Sequence, residues 1–348
     1  MRHPYPIREI ARQAGLSTAT VDRVLNRRGN VRESTIREVQ EAIKDLDRQQ
    51  TQVRIGSRTF MIDIVMQTPE RFSTAVREAL EAELPSLQPA VVRSRSHFRE
   101  SCPPGELIGT LDKIAKRGSQ GVILKAPDVP EIAAAVGRLV AADIPVVTLV
   151  TDLPHSARLA YVGIDNRAAG ATAAYLLQQW LGDRPGNVLT TISRGSFRGE
   201  EERDMGFRGA MRLTDPRRSL VEVTDSDGLD ATQRDLVLEA LQRDEEIVAV
   251  YSMGGGNLAT LDAFDALGRS CAVFVAHDLD HDNTRLLSER RISAVLHHDL
   301  RQDMRRACQT IMRANKALPD DGPPLPSAIQ VVTPFNLPPD VPPVPLMA

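Results

Sequence analysis

The sequence predicts an α + α/β protein, in which a small helical N-terminal domain precedes a body of two doubly wound parallel sheets. The first observation is a change in apolar periodicity, which is helical before residue 47 and alternates between strand and helix patterns after Phe60. The second is the strict alternation of these strands and helices, which favours parallel sheets covered on both faces. The third is length, because the part of the 348-residue chain that follows Phe60 is too long to form a single sheet of five or six strands.

The N-terminal domain begins with two short helical patterns on either side of a glycine. The first helix is predicted from apolar residues spaced i, i+3, i+4 and i+7, namely Ile7, Ile10, Ala11 and Ala14. Gly15 supplies the backbone freedom that ends this helix, and Ser17 is placed to N-cap the next one. The second helix would pack on the first through Val21, Val24 and Leu25. This pattern predicts a helix-turn-helix, although a small helical hairpin that serves only packing has the same outline.

The residue order in this region is more specific than its periodicity. The run A-x-x-A-G-x-S-x-A-T-V-x-R-V-L-N resembles the DNA-binding head of the lactose-repressor (LacI) family of bacterial transcription regulators. The resemblance continues through the third helix of that head, at Val31, Thr35, Val39 and Ala42-Ile43. It implies a homodimer on a double-stranded operator, with DNA contacts from Ser17, Thr18, Ala19, Thr20, Asp22, Arg23, Asn26 and Thr35.

Two features depart from the pattern of the family. Asp22 stands where the family usually has Ser, so it either accepts from a cytosine amino group or pairs with Arg23 or Arg27. In the family, the stretch at residues 47–59 is a hinge that becomes helical on DNA and wedges a Leu into the minor groove. Here Gln49, Gln50 and Thr51 are poor helix starters, and Ile55 is the only large apolar candidate for the wedge. Whether the hinge forms a minor-groove helix is therefore left open.

The body resembles the sugar-binding body of the same regulators, which has the type I fold of periplasmic sugar-binding proteins, especially the ribose-binding kind. The resemblance rests on ADIPVVTLVTD, AYVGIDNRAAGATAAYLL, RDMGFRGAM and the strand that ends in VAHD. We therefore expect a headpiece with hinge at 1–58, a two-lobed effector-binding and dimerisation domain at 59–335, and a Pro-rich tail at 336–348. Lobe 1 would comprise about 59–163 and 297–330, and lobe 2 about 164–296. The third crossing between lobes is expected near 331–334.

Ligands of open α/β sheets bind outside the carboxyl ends of the strands, so the residues after each strand are the candidates for the effector site. The expected effector contacts are Arg71, Phe72, Asp165, Arg203, Asn257, Asp278 and His298. The resemblance implies that Arg203 reaches into the cleft and that Asp278 accepts sugar hydroxyls, whereas Asp165 is either a contact or a helix N-cap. Gly254, Gly255 and Gly256 replace two polar anchors of the ribose-binding relatives, and they either widen the cleft or bring backbone amides to the ligand. Asn257 would then substitute for the missing anchors.

Charge and motifs narrow the class of protein further. Residues 1–58 hold 12 Lys and Arg against 7 Asp and Glu, whereas the whole chain has a net charge of −3, which fits phosphate binding by the head alone. The three cysteines are widely spaced with no CxxC, and no signal-peptide core or 18-residue apolar run occurs, so a cytoplasmic protein is expected, and the resemblance implies a bacterial one. No P-loop, dinucleotide fingerprint or nucleophile elbow occurs. The acidic and His-containing run at 277–282 has the composition of a metal site, but sugar contact already explains its beginning.

The sequence thus predicts a transcription regulator, most simply a repressor, that responds to a small sugar or polyol and needs no cofactor or metal. Two alternatives remain at this stage. One is a regulator that answers to a purine or another non-sugar metabolite. The other is an enzyme with an appended DNA-binding head, which the lack of a catalytic motif disfavours.

Overall fold

The computed structural model describes residues 4–26, 28, 31–55, 58–193, 197–226 and 230–337. It confirms the predicted fold class, with a helix-turn-helix head followed by a two-lobed α/β body. The helices of the head are α1 (Ile7–Ala14), α2 (Thr18–Leu25) and α3 (Glu33–Ile55). Gly15 ends α1 in the left-handed conformation (φ 65°), and the Ser17 hydroxyl accepts a hydrogen bond from the Thr20 amide at 3.1 Å. A small apolar core holds the three helices together through Ile10, Val21, Val39, Ala42 and Leu46.

The third helix is longer than the sequence suggested. The backbone remains helical through Ile55, so most of the polar stretch at 47–59 continues α3 instead of breaking from it. Gln49, Gln50 and Thr51 are poor at starting a helix, but as the continuation of an existing helix they need no start. The Ile55 side chain, the candidate wedge, lies outside the described part of the structure.

Lobe 1 is a five-stranded parallel sheet in the order β2-β1-β3-β4-β5. Its strands are β1 (Thr59–Gln67), β2 (Val91–Arg99), β3 (Gly121–Lys125), β4 (Val146–Leu149) and β5 (Ala160–Val162). Three helices alternate with them, α4 (Glu70–Glu83), α5 (Pro104–Arg117) and α6 (Pro130–Ala141). Alternate β1 residues enter two apolar cores, with Ile62 and Ile64 on one face and Val65 on the other.

Lobe 2 is a six-stranded sheet in the order β11-β10-β9-β8-β6-β7. Its strands are β6 (Asn187–Ser193), β7 (Leu220–Ser226), β8 (Ile247–Ser252), β9 (Val273–His277), β10 (Ala294–His297) and β11 (Gln330–Val332). The helices that follow the first five of these are α8 (Arg198–Thr214), α9 (Asp230–Arg243), α10 (Asn257–Ala266), α11 (His281–Ser288) and α12 (Leu300–Ala314), while α7 (Asn166–Leu181) precedes β6. Strand β11 pairs antiparallel with β10, so the two sheets are parallel as predicted except at this one edge.

The chain passes between the lobes three times. The first passage follows β5 and leads into α7, and the second follows β10 and leads into α12, which packs on lobe 1 against α4. The third passage precedes β11, because Gln330–Val332 already pairs with the lobe 2 sheet. It therefore comes earlier than the expected 331–334. The passages bring Gly163 and Ser327 together, where the Ser327 amide donates to the Gly163 carbonyl at 2.8 Å.

Within the described ranges, no helix is both long enough and apolar enough to cross a membrane.

Candidate DNA interface and effector cleft

The outer face of α2 carries most of the residues expected to contact DNA. Five of these are exposed, namely Ser17, Thr18, Ala19, Arg23 and Asn26, while Thr20, Asp22 and Thr35 are half-buried. Burial of Val21 against the head core orients α2 and directs Arg23 outward. Arg23 forms no ion pair with any residue that the structure describes, so its guanidinium remains available to a base edge or a phosphate.

Asp22 lies at the centre of a small polar cluster at the end of α2. Asn26 Nδ2 donates to Asp22 Oδ1 at 2.8 Å and to its carbonyl at 3.0 Å, and Arg28 Nη1 donates to Asp22 Oδ2 at 3.1 Å. The arginine beside Asp22 is thus Arg28, which was not among the partners expected from the sequence, and Arg27 lies outside the described residues. This arrangement favours pairing of Asp22 over direct readout of a cytosine.

Replacing Asp22 with Ser tests this pairing. We expect Asp22→Ser to bind the operator as tightly as the wild type or more tightly, because it removes a negative charge near the phosphates and frees Arg28. The preferred bases should not change. Binding to operator variants at two salt concentrations measures both properties, and a changed preference at a cytosine-containing position with lost affinity would establish direct readout instead.

The two lobes enclose a cleft of about 230 Å³ at the carboxyl ends of their strands. Both lobes contribute to its wall, and the charged lining residues are Arg71, Glu100, Lys125, Glu200, Arg203, Asp278 and Asp280. This volume suits a single small metabolite and is below the usual size of a pocket for a drug-sized ligand.

Arg203 is fixed in the lobe 2 wall by neutral acceptors. It lies on α8 and is only 4% exposed. Its Nε donates to Asn166 Oδ1 at 2.9 Å and its Nη1 to the Met253 carbonyl at 2.8 Å. Close packing of α7 on α8 requires Gly170, because a Cβ there would lie 1.9 Å from the Arg203 carbonyl oxygen. The guanidinium is therefore held rigidly at the cleft surface.

Asp278 follows β9 and is held by a buried chain of polar groups behind the cleft. Its φ of 64° lies in the left-handed region, and its backbone carbonyl accepts from Asn283 Nδ2 at 2.7 Å. His298 Nε2 lies 3.6 Å from Asp278 Oδ1, and His298 Nδ1 bonds to Asp303, which also accepts from the Ser327 hydroxyl. The chain connects the cleft to both the second and the third passage between the lobes.

The electrostatics of this chain favour a charged His298. Burial opposes the charge of His298, but its contacts with Asp278 and Asp303 prevail and raise its pKa to about 9. Burial likewise acts to raise the pKa of Asp278, yet His298, Arg203 and His277 together hold that pKa well below its ordinary value. Asp278 is thus ionised. Its buried Oδ1 faces His298 and accepts no hydrogen bond from the described residues, and the carboxylate lines the cleft, where it can accept from a ligand hydroxyl.

The pKa of His298 predicts a pH-dependent stability. Because its folded pKa of about 9 exceeds the ordinary 6.5, the stabilisation is complete below pH 6.5 and is lost as pH rises through 9. We expect the difference in free energy of unfolding between wild type and His298→Gln to fall by about 3 kcal/mol between pH 6.5 and a pH above 9, in addition to any cost of the substitution that does not depend on pH. The pKa of Lys125 is lowered to about 8, so its contribution to stability rises with pH in this range. Because Lys125 is present in both proteins, this contribution cancels in the difference. Denaturant titrations of the full chain measure the difference, and one that is constant with pH would contradict the assignment.

Arg71 crosses the cleft from lobe 1 to lobe 2. It lies in the first turn of α4, and its Nε is 3.1 Å from Asp280 Oδ2 at the start of α11. The guanidinium also lies against Gly255, where a Cβ would be 2.1 Å from Arg71 Nη2 and the backbone φ is 110°. The glycines at this point therefore leave room for a side chain of the opposite lobe, a reason that the sequence did not reveal.

Lys125, at the end of β3, provides a second contact across the cleft. Its Nζ lies 4.3 Å from the centroid of the Phe197 ring of lobe 2 and 5.8 Å from that of Phe72 of lobe 1. Among the described residues it donates a hydrogen bond to the Gln67 carbonyl at 3.1 Å. A third link joins the Thr151 hydroxyl of lobe 1 to the Gly199 amide of lobe 2 at 2.9 Å. The structure therefore has its lobes in contact around the cleft.

Of the seven effector residues expected from the sequence, the structure brings four to the cleft wall, Arg71, Phe72, Arg203 and Asp278. The other three do not line the cleft. Asp165 is the N-cap of α7, where its carboxylate accepts from the Ala168 amide at 2.9 Å. Asn257 donates to Asn283 Oδ1 at 2.7 Å and so supports a residue that does line the cleft. His298 is 2% exposed and contacts Asp278 from behind.

Several lining residues were not predicted, among them Lys125, Ser193, Phe197, Glu200 and Asn283. Lys125 and Ser193 end β3 and β6, so their positions at the carboxyl ends of strands are the sequence signal for both. Phe197, Glu200 and Asn283 lie on or beside helices, where sequence position alone carries no signal. The described residues include no group of three or more His, Cys, Asp or Glu that could hold a metal ion, and His281 of the 277–282 run points to solvent.

Solved structures with the same fold come from regulators and from sugar-binding proteins. A protein from Bacteroides fragilis assigned as a LacI transcriptional regulator is 14% identical, with a TM-score of 0.70 over 79% of this chain and 96% of that one. GanP, a glucose-galactose binding protein from Geobacillus stearothermophilus, is 18% identical, with a TM-score of 0.71 over 81% and 100% of the two chains. A solute binding protein from Burkholderia graminis in complex with D-arabinose is 17% identical, with a TM-score of 0.70 over 80% and 96%. At such identities the likeness shows the fold alone. Among curated protein sequences, none matches this chain.

A helix-turn-helix head joined to a two-lobed body with a cleft defines a ligand-responsive, DNA-binding transcription regulator. Residues 64–317 match the family model of the periplasmic binding protein domain, and residues 6–48 match that of the bacterial regulatory proteins of the lacI family. The chain therefore belongs to the periplasmic binding protein domain family and carries the DNA-binding head of the LacI regulators.

Proposed function

We propose that this regulator is a repressor that binds a roughly palindromic operator as a homodimer and is controlled by a small sugar or polyol between its lobes. The observation that carries the proposal is the combination of an exposed α2 face with a cleft whose walls are joined by Arg71 and Asp280. The head can contact DNA bases, and the body can change shape with ligand.

The geometry of the head supports the proposed homodimer. One α2 helix spans only a half-site, and two half-sites about one helical turn of DNA apart require two heads in a fixed relation. A change in the closure of the lobes would alter the relative position of the two heads, and operator affinity would change with it. A regulator that works in this way acts on DNA in the bacterial cytoplasm.

The composition of the cleft supports a polyhydroxylated effector. Arg203 supplies planar donors, Asp278 supplies a carboxylate acceptor at the cleft wall, and the Phe72 and Phe197 rings supply apolar surface. The proteins of the same fold named above include one that binds glucose and galactose and one with bound D-arabinose. DNA contacts by the eight head residues and effector contacts by Arg71, Phe72, Arg203 and Asp278 belong to this proposal, as does the support of that site by Asp165, Asn257 and His298.

The proposal is tested by selecting an operator from random duplexes with the full chain and then adding sugars and polyols one at a time. We expect a selected sequence with two-fold symmetry and at least one compound that changes operator affinity tenfold or more. A selected site without symmetry would argue against the dimer. Failure of every compound, with operator binding intact, would argue against sugar control.

A further inference from the structure

The acidic and basic side chains of the cleft wall differ in what they contact. Each described carboxylate already faces a donor or a cation. Asp280 pairs with Arg71, and the Asp278 charge faces His298. Glu200 accepts from the amide and hydroxyl of Ser193, each at 2.7 Å, and Glu100 accepts from the Glu70 amide at 2.9 Å.

Two of the cations have no such counterpart. Lys125 Nζ contacts a carbonyl oxygen and two aromatic rings, and Arg203 contacts an amide oxygen and a carbonyl oxygen. All of these partners are neutral, and neither cation forms an ion pair within the described ranges. Arg71, the third cation of the wall, is paired with Asp280 and does not belong to this set.

An unpaired, buried cation in this position lowers the stability of the folded protein. A buried ammonium loses its hydration, and neutral acceptors replace only part of it. Burial lowers the pKa of Lys125 to about 8, with Glu200 and Asp278 opposing the shift and Arg203 and Arg71 adding to it. An anion supplied by a ligand would restore the missing partner of both Lys125 and Arg203.

We infer that the effector is an acidic sugar, whose negatively charged group pairs with Lys125 and Arg203 while its hydroxyls bond to Asp278 and Asn283. This inference rests on the proposed function, because it specifies the chemistry of the same effector. Glu200 lines the same cleft without pairing with either cation, and its negative charge beside the site makes a singly charged carboxylate fit better than a doubly charged phosphate. Lys125 thereby becomes the residue that determines specificity for acids over neutral sugars.

The test compares ligands that share a carbon skeleton and differ in charge. Binding to the full chain is measured by calorimetry for glucose, glucuronate, gluconate and glucose 6-phosphate, and for galactose, galacturonate and galactonate. We expect at least one carboxylate to bind tenfold or more tightly than the neutral sugar of its skeleton, and more tightly than the phosphate. Lys125→Met should abolish this preference by weakening the carboxylate tenfold or more, whereas Lys125→Arg should retain most of it.

Lys116→Met is the matched control, since Lys116 is exposed on α5 away from the cleft, and it should bind like the wild type. Equal or tighter binding of a neutral sugar, or carboxylate binding unchanged in Lys125→Met, would overturn the inference. If such a neutral sugar also shifted operator affinity, the inference would be overturned but the proposed function would still hold. If none of these compounds bound, the result would count against both the inference and the proposed function.

Discussion

Replacing Arg203 with Ala is expected to weaken effector binding by about 100-fold or more while operator binding persists. The guanidinium is buried in the lobe 2 wall and oriented by Asn166 and Met253, so its bonds to a ligand are preorganised. Hydrogen bonds to a charged group contribute about 1.5–3 kcal/mol each, and loss of two of them accounts for this factor. Calorimetry on the effector and anisotropy on the operator measure the two properties separately.

A structural loss must be distinguished from a binding loss in this variant. Arg203→Ala also leaves the Met253 carbonyl and Asn166 Oδ1 without a donor, which costs about 1–3 kcal/mol of stability. Arg208→Ala is the control, because Arg208 lies on the same helix but pairs with Asp204 and Glu222 outside the cleft. A normal effector titration by Arg203→Ala would remove Arg203 from the site. If Arg203→Ala lost no more effector binding than Arg208→Ala, the role of Arg203 would be limited to folding.

Replacing Arg23 with Ala is expected to cost about 1–3 kcal/mol on the selected operator, a loss of roughly 10- to 100-fold, and far less on random duplex. Arg23 is exposed on α2 and has no ion-pair partner in the described part of the head, so it is available for a bidentate contact with guanine. Arg12→Ala, which removes one exposed positive charge from α1, controls for the loss of charge alone. Equal losses of Arg23→Ala on operator and random DNA would show that Arg23 contacts only phosphate.

The fold was predictable because local sequence and global packing agree. Residue order in the head fixed α1, the turn at Gly15 and the cap at Ser17, and the apolar runs of the body coincide with ten of its strands. The exceptions are short or context-dependent. Strand β11 has three residues in a proline-rich stretch, and α3 continues to Ile55 because an existing helix extends through residues that would not start one.

The candidate site was only partly predictable, because residue type and strand position do not say which way a side chain points. Asp165 had two roles consistent with its place before a helix, and only the bond from the Ala168 amide distinguishes them. Asn257 and His298 were expected at the ligand, yet their partners Asn283 and Asp303 come from helices that no local pattern connects to them. The glycine at 255 is explained by Arg71 of the other lobe, a contact between segments far apart in the chain.

Coupling between the cleft and the operator surface is tested most directly by the reciprocity of their binding. The effector Kd is measured on the full chain, first free and then saturated with operator duplex. Linkage requires that operator change the effector Kd by the same factor by which effector changes the operator Kd. We predict equal factors of about 5–150, the usual range for allosteric coupling. An effector Kd that is the same with and without operator would contradict the account.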